Sequence, residues 1–269
     1  MKYALCSKIF KDKNWEELCR FARAAGFEGI EITPTTFAES VTDISPARRA
    51  EIRRVALENG LELPSLHSLM VSPRGLVINA PEPAVRQQAV DYLRALFDFA
   101  TDVGCPLLVY GSASSRNVPA GLTYRQARDF MKESLLKCLD QAQEAGLLLC
   151  VEPLAADRTN LFSTIEAAYG FVCEVNHPSF GLMADCKALA SEKRPVADSL
   201  RLFGAEIRHV HGNDAQGLAP GFGALDFAPI LHALKEVGYQ GYFSLEPSLC
   251  RPDVETVVQV SLKYLKSLG

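Results

Sequence analysis

No run of about 18 consecutive apolar residues, the length a membrane-spanning helix needs, occurs in the chain. Met1 to Phe10 is interrupted by Lys2 and Lys8 and has no long apolar core, so no secretory segment is read there. The eight cysteines, at 6, 19, 105, 138, 150, 173, 186 and 250, form no Cys-x-x-Cys pair, and most sit within apolar patterns as small core residues. Together these absences give the expectation of a reducing, cytoplasmic setting without disulfides or membrane contact. Cationic excess is also missing: 28 Lys and Arg stand against 32 Asp and Glu, for a formal net charge of −4. Nucleic-acid surfaces require clustered cations, so a nucleic-acid partner is not expected. The first strand-to-helix turn has no Gly-x-Gly-x-x-Gly, which argues against an open dinucleotide-binding sheet.

What remains is an ordinary soluble composition, 48% hydrophobic and 22% charged over 269 residues. Strand-like and helix-like patterns alternate along the whole chain. Tyr3 to Ile9 reads as a strand, Trp15 to Ala25 as a helix closed by Gly26, and Gly29 to Ile32 as the next strand. A helix from Pro46 to Asn59, capped by Ser45, precedes a strand over Leu61 to Ser68. Beyond a long loop at 70–83 come a helix through Ala100, a strand over Pro106 to Tyr110, and a single helix expected from Tyr124 to Ala145. A looser segment is expected over Cys186 to Pro195. Eight such alternations without a linker predict parallel strands with right-handed crossovers, closed into one (β/α)8 TIM barrel over residues 1–269.

Four apolar runs in the second half end in polar groups. Leu147 to Val151 stops at Glu152, Phe180 to Ala184 at Asp185, and Gly241 to Leu245 at Glu246; Ile207 to Gly212 carries His209 and His211 on one face. The intervals from Glu152 to Asp185, His211 and Glu246 are 33, 26 and 35 residues, which suit successive strand–helix units of about 30 residues or more. Barrel active sites lie at the carboxyl ends of strands. Three carboxylates and one imidazole form a mostly hard ligand set, matched to Mn2+, Mg2+ or Co2+ with positions left for substrate, and matched less well to Zn2+. The competing reading is that each acid merely ends a strand and accepts from turn amides.

The segments Leu149-Cys150-Val151-Glu152-Pro153-Leu154, Gly181-Leu182-Met183-Ala184-Asp185, His209-Val210-His211-Gly212-Asn213-Asp214, Pro220-Gly221-Phe222-Gly223 and Gly238 to Pro247 together resemble the xylose-isomerase-like sugar isomerase and epimerase superfamily, closest in pattern to ketose 3-epimerases. The resemblance implies a TIM barrel whose Glu152, Asp185, His211 and Glu246 hold one divalent cation, Mn2+ foremost. It also implies that Glu152 and Glu246 move a proton through a cis-enediolate of a sugar or sugar derivative. Barrels of this kind often pair, so a homo-oligomer is an expectation, although no interface signature is present.

Departures from that pattern have a direction. The epimerases usually carry a glutamate where this chain has Arg158 and a histidine where it has Ala188. Asp157 is the nearest replacement for the first, and Ala188 offers no polar group. Arg158 and Lys187 follow two of the ligand strands, and Arg116 lies in the loop after Gly111-Ser112, so the expected substrate carries a phosphate or carboxylate. His67 ends the third strand as a candidate for a substrate hydroxyl. Glu31 reads as an inward group supporting the site or as a strand-end structural residue, and Trp15 as packing. The rival functions are a metal-dependent dehydratase or lyase of a keto-inositol or sugar acid, and a non-catalytic sugar-binding barrel. An apurinic endonuclease with several zincs fits poorly, since position 188 has no imidazole and the acidic balance gives no DNA footprint.

Overall fold

A computed structural model describes residues 1–269. Eight parallel strands form one sheet: β1 (Lys2–Cys6), β2 (Gly29–Glu31), β3 (Ser65–Leu66), β4 (Leu107–Tyr110), β5 (Leu148–Val151), β6 (Phe180–Asp185), β7 (Ile207–Gly212) and β8 (Tyr242–Leu245). The order β2-β1-β8-β7-β6-β5-β4-β3 leaves β2 and β3 as its two ends. Parallel bridges from Gly29 to Glu62 and from Ile32 to Leu66 join those ends and close the ring. The chain is a (β/α)8 TIM barrel, as the alternation of apolar periods requires.

The outer ring comprises α1 (Trp15–Ala25), α2 (Pro46–Glu58), α3 (Pro83–Val103), α4 (Tyr124–Leu136), α5 (Leu139–Glu144), α6 (Ile165–Val175), α7 (Cys186–Ala190), α8 (Val196–Phe203), α9 (Ala228–Glu236) and α10 (Val254–Ser267). Local sequence fixes their ends. At α1 the Asn14 side chain accepts from Glu17 N–H while the Glu17 carboxylate accepts from Asn14 N–H, both at 3.0 Å, and Gly26 closes the helix at φ 94°. Such a cap is worth about 1 kcal/mol. Trp15 packs inward, as its helical setting implies, and its indole N–H donates to the Ile52 carbonyl at 3.0 Å.

The structure departs from expectation in three places that matter. The first strand ends at Cys6, and Ser7–Ile9 is a 3-10 turn, so Lys8 lies beyond the strand rather than within it. The helix expected over Tyr124 to Ala145 breaks between α4 and α5. There the Lys137 carbonyl, which a continuous helix would offer to Gln141, accepts instead from the Arg94 guanidinium of α3 at 2.6 Å. The segment read as loose after Asp185 contains α7, whose N-cap is Asp185 itself. Five residues are too few for helical periodicity to register. No helix is long and apolar enough to cross a membrane.

One apolar cluster runs through strands and helices alike, including Leu5, Ile30, Leu66, Leu108, Leu149, Leu182, Val210 and Leu245 from all eight strands. Burying an aliphatic side chain of this kind is worth about 1.5–3 kcal/mol. That packing makes the strand ends a rigid rim.

Candidate active site

At the carboxyl ends of β5 to β8, Glu152, Asp185, His211 and Glu246 converge. One ligand atom from each lies within 4.8 Å of all the others. His211 is the hub: its Nδ1 is 3.1 Å from Glu152 Oε1, 3.1 Å from Glu246 Oε2 and 4.0 Å from Asp185 Oδ2. Asp185 also does what a strand-end acid does in turns, since Oδ1 accepts from Ala188 N–H at 2.7 Å, while Oδ2 accepts from the Asn213 amide at 2.9 Å. Asn213 in turn accepts from Lys187 N–H at 3.0 Å, which ties the rim of β6 to that of β7. These hydrogen bonds use one lone pair on each oxygen and leave others for a cation.

Glu152 is positioned from both sides. Gly111, just past β4, leaves the space its carboxylate occupies; a Cβ on Gly111 would overlap Oε2. Behind it, fully buried Arg116 donates to the Glu152 carbonyl at 2.6 Å and to the Tyr110 carbonyl at 3.2 Å, between the rings of Tyr110 and Phe162. Arg116 therefore does not face the cleft, and the expectation that it meets a substrate anion is corrected. Its guanidinium is spent on two strand-end carbonyls, that of Glu152 and that of Tyr110, the latter also accepting from Glu152 N–H at 3.2 Å.

Charge in the cluster is poorly balanced without a cation. Burial first, and then the Glu152 and Glu246 carboxylates, push Asp185 up to about 7 against the pull of His211. Burial would lower His211, but Glu31, Glu246 and Glu152 outweigh it and hold the imidazole well above its ordinary value. Burial would likewise raise Glu246, yet His211, His67 and Lys8 hold it well below the carboxylate range. Two buried carboxylates and the partly buried Glu246, sharing one imidazole, form a hard, mostly anionic donor set that suits a divalent cation.

Glu246 has one partner that the sequence reading missed. Lys8 Nζ lies 2.6 Å from Glu246 Oε1. The signal lay in Ser7-Lys8-Ile9 following an apolar strand, but reading the strand through Ile9 concealed it. His67 is where it was expected: it is buried at the rim, with Nε2 2.5 Å from Thr33 Oγ1 and Nδ1 3.4 Å from Glu246 Oε1. By contrast, Glu152 Oε2 has no protein hydrogen-bond partner.

A cavity of about 560 Å³ opens over the cluster, lined by Glu152, Asp185 and Glu246 together with Lys8, His67, Arg158 and Lys187. Ser68, Ser112, Ser114 and Ser248 add hydroxyls. Neither Arg158 nor Lys187 has an ion-pair partner in the protein, whereas Asp157 is exposed and lies outside the lining. Beneath the cluster, Cys6, Glu31, His67 and His211 also come within 4.8 Å. Here Glu31 and the neighbouring groups already satisfy one another by hydrogen bonds, and burial with the Glu31 charge pushes the Cys6 thiol well up, keeping it protonated.

Comparison with known proteins gives the chain a family and structural neighbours. A family model described as "Xylose isomerase-like TIM barrel" matches residues 19–268. The chain is similar to the L-ribulose-5-phosphate 3-epimerase UlaE of Escherichia coli (strain SE11), 26% identical over 245 residues that cover 86% of this chain and 81% of that protein. Among solved structures it resembles D-psicose 3-epimerase from Clostridium cellulolyticum H10, with TM-score 0.88 and 19% identity over 100% of this chain and 99% of the other. It also resembles the 3-keto-D-glucoside 4-epimerase YcjR from E. coli, with TM-score 0.85 and 21% identity over 99% of both chains.

Proposed function

Because the chain belongs to the xylose isomerase-like TIM barrel family, we propose that its buried cluster is the centre of a divalent-metal-dependent sugar epimerase or isomerase. The observation that carries this reading is the convergence of Glu152, Asp185 and Glu246, which line the cavity, on the buried His211. Those four side chains would hold the cation, with Mn2+ favoured by the hard oxygen-rich donor set and Mg2+ or Co2+ as substitutes. When bound, the cation supplies positive charge for the oxyanion that develops when a proton leaves the carbon beside a ketone.

The side chains divide the remaining work. Glu152 Oε2, free of protein partners, accepts the proton from the carbon beside the ketone. Glu246, three strands further round the barrel and ionised at rest, delivers to the other face a proton that it first takes up from solvent or the Lys8 ammonium, and Glu152 then releases its proton to solvent. Return to the same carbon from the opposite face gives an epimer, and return to the neighbouring carbon gives an isomer. For the reverse substrate the two glutamates exchange roles. His67 holds the Glu246 side of the cleft and orients a substrate hydroxyl, and the buried rim keeps the carboxylates from being levelled by bulk water.

The substrate is a small sugar derivative with an anionic group. Arg158 and Lys187, unpaired at the cavity wall, are its binding partners, with Lys8 beside them. The similar E. coli relative is named for a sugar phosphate.

The test loads the protein with Mn2+ and offers ketoses, ketose phosphates and keto acids in deuterated water, with NMR and mass spectrometry as readouts. The reading predicts an isomeric product with deuterium at the reacting carbon. Loss of water would identify a dehydratase instead, and binding without carbon exchange would identify a sugar-binding barrel.

A further inference from the structure

We infer that Glu31 is a positioning residue that fixes His211 with its Nδ1 lone pair facing the other three ligands, by accepting the proton of Nε2. The inference rests on the reading of Glu152, Asp185, His211 and Glu246 as a cation site. Glu31 ends β2, is fully buried, and lies in register beside Cys6 of β1. From the opposite wall, β7 sends His209 and His211 inward, two residues apart on one face.

The carboxylate is surrounded by donors. Oε1 is 3.0 Å from His211 Nε2; Oε2 is 3.3 Å from His209 Nε2 and accepts the Cys6 thiol at 3.1 Å. No lysine or arginine pairs with Glu31. A fully buried carboxylate without such a cation is costly unless its lone pairs are filled, and here imidazole and thiol groups fill them. A carboxylate accepts only, so each imidazole nitrogen facing it carries a proton. His211 Nδ1 also faces carboxylates, Glu152 Oε1 and Glu246 Oε2 at 3.1 Å each, and by the same rule it carries a proton until a cation takes that proton's place among them. With Nε2–H held by Glu31, Nδ1 is then the ligating atom, aimed at Glu152, Asp185 and Glu246. The Glu31 charge also increases electron density on the ring and so its strength as a ligand.

His209 extends the device downward, since its Nε2 also lies 3.3 Å from Ser65 Oγ on β3. The orientation of one ligand is thus set by residues from β1, β2, β3 and β7, of which β1 and β2 lie across the barrel from the β5 and β6 ligands. A purely structural role would need the buried charge to be balanced, but not this choice of nitrogen.

The experiment compares wild type, Glu31→Gln and Glu31→Asp. Mn2+ affinity is read by electron paramagnetic resonance titration, and the His211 protonation site by nitrogen-15 NMR of the Mg2+-loaded protein. Wild type should show a proton on Nε2 and none on Nδ1. Glu31→Gln should bind Mn2+ about ten- to a hundred-fold more weakly and show protons on either nitrogen, while Glu31→Asp recovers part of the affinity. Unchanged affinity and tautomer in Glu31→Gln would overturn the inference while leaving the cation site standing. Failure of wild type to bind Mn2+ would overturn the cation site and this role with it. If Glu31→Gln does not fold, the wild-type spectrum still decides, because a proton on Nδ1 of the loaded protein contradicts the assignment.

Discussion

Lys8 Nζ lies 2.6 Å from Oε1 of Glu246, so one of the two acid–base candidates is held by an ammonium group while the other, Glu152, keeps Oε2 free. Lys8 is one of the groups that keep Glu246 ionised. Replacing it by methionine removes a positive neighbour, so protonation of Glu246 should occur at higher pH. In the direction in which Glu246 takes the proton, the acidic limb of the kcat profile should therefore move upward, measured between pH 4 and 8 in the Mn2+-loaded enzyme. A profile identical to wild type would separate Lys8 from the chemistry.

Cation binding should release protons. Asp185, raised to about 7, must ionise, and His211, raised above its ordinary value, must become neutral before either can ligate. Both changes favour the cation as pH rises, so Mn2+ affinity should increase through neutrality and fall in acid. Calorimetric titration in buffers of different ionisation enthalpy measures this directly. The same linkage predicts that Mn2+ at a hundred-fold excess over Kd stabilises the fold by about 2.7 kcal/mol, and that a chelator reverses the gain in Tm.

Gly111→Ala tests the placement of Glu152. The added methyl would occupy the site of the carboxylate, and displacement of a reacting group by about 1 Å can cost about 100-fold in rate. Expected is a large fall in kcat with thermal stability close to wild type. Retention of full kcat would show that Glu152 need not stand where the structure puts it.

Arg158, Lys187 and Arg116 should separate cleanly. Alanine at 158 or 187 should raise KM for an anionic substrate about ten-fold, the loss of about 1.4 kcal/mol from one charge-assisted contact, with little change for a neutral analogue. Arg116→Met should instead cost about 1–3 kcal/mol of folding stability, because the buried Glu152 carbonyl loses its side-chain donor and the Tyr110 carbonyl loses one of two. Steady-state kinetics on paired substrates and thermal unfolding distinguish these outcomes.

The contrast among those cations shows what a sequence does and does not convey. Glu152, Asp185, His211 and Glu246 were legible because each closes an apolar run, and a barrel brings successive strand ends to one rim whatever the details of packing. Side-chain direction in loops has no such period. Arg116 and Arg158 look alike in sequence, yet one turns into the core and the other to the cavity. Lys8 was hidden by a strand that stops at Cys6, three residues earlier than its apolar pattern, at a turn which the hydrophobic period does not mark. The break between α4 and α5 depends on Arg94, 43 residues before the carbonyl it takes, and no local pattern contains that information.

The most direct test of the account is anomalous diffraction from crystals equilibrated with Mn2+. One cation per chain should lie among the Glu152, Asp185 and Glu246 carboxylates and His211 Nδ1, with Glu31 opposite the ring. An Mn2+ peak elsewhere, or none at this cluster under saturating Mn2+, would contradict it.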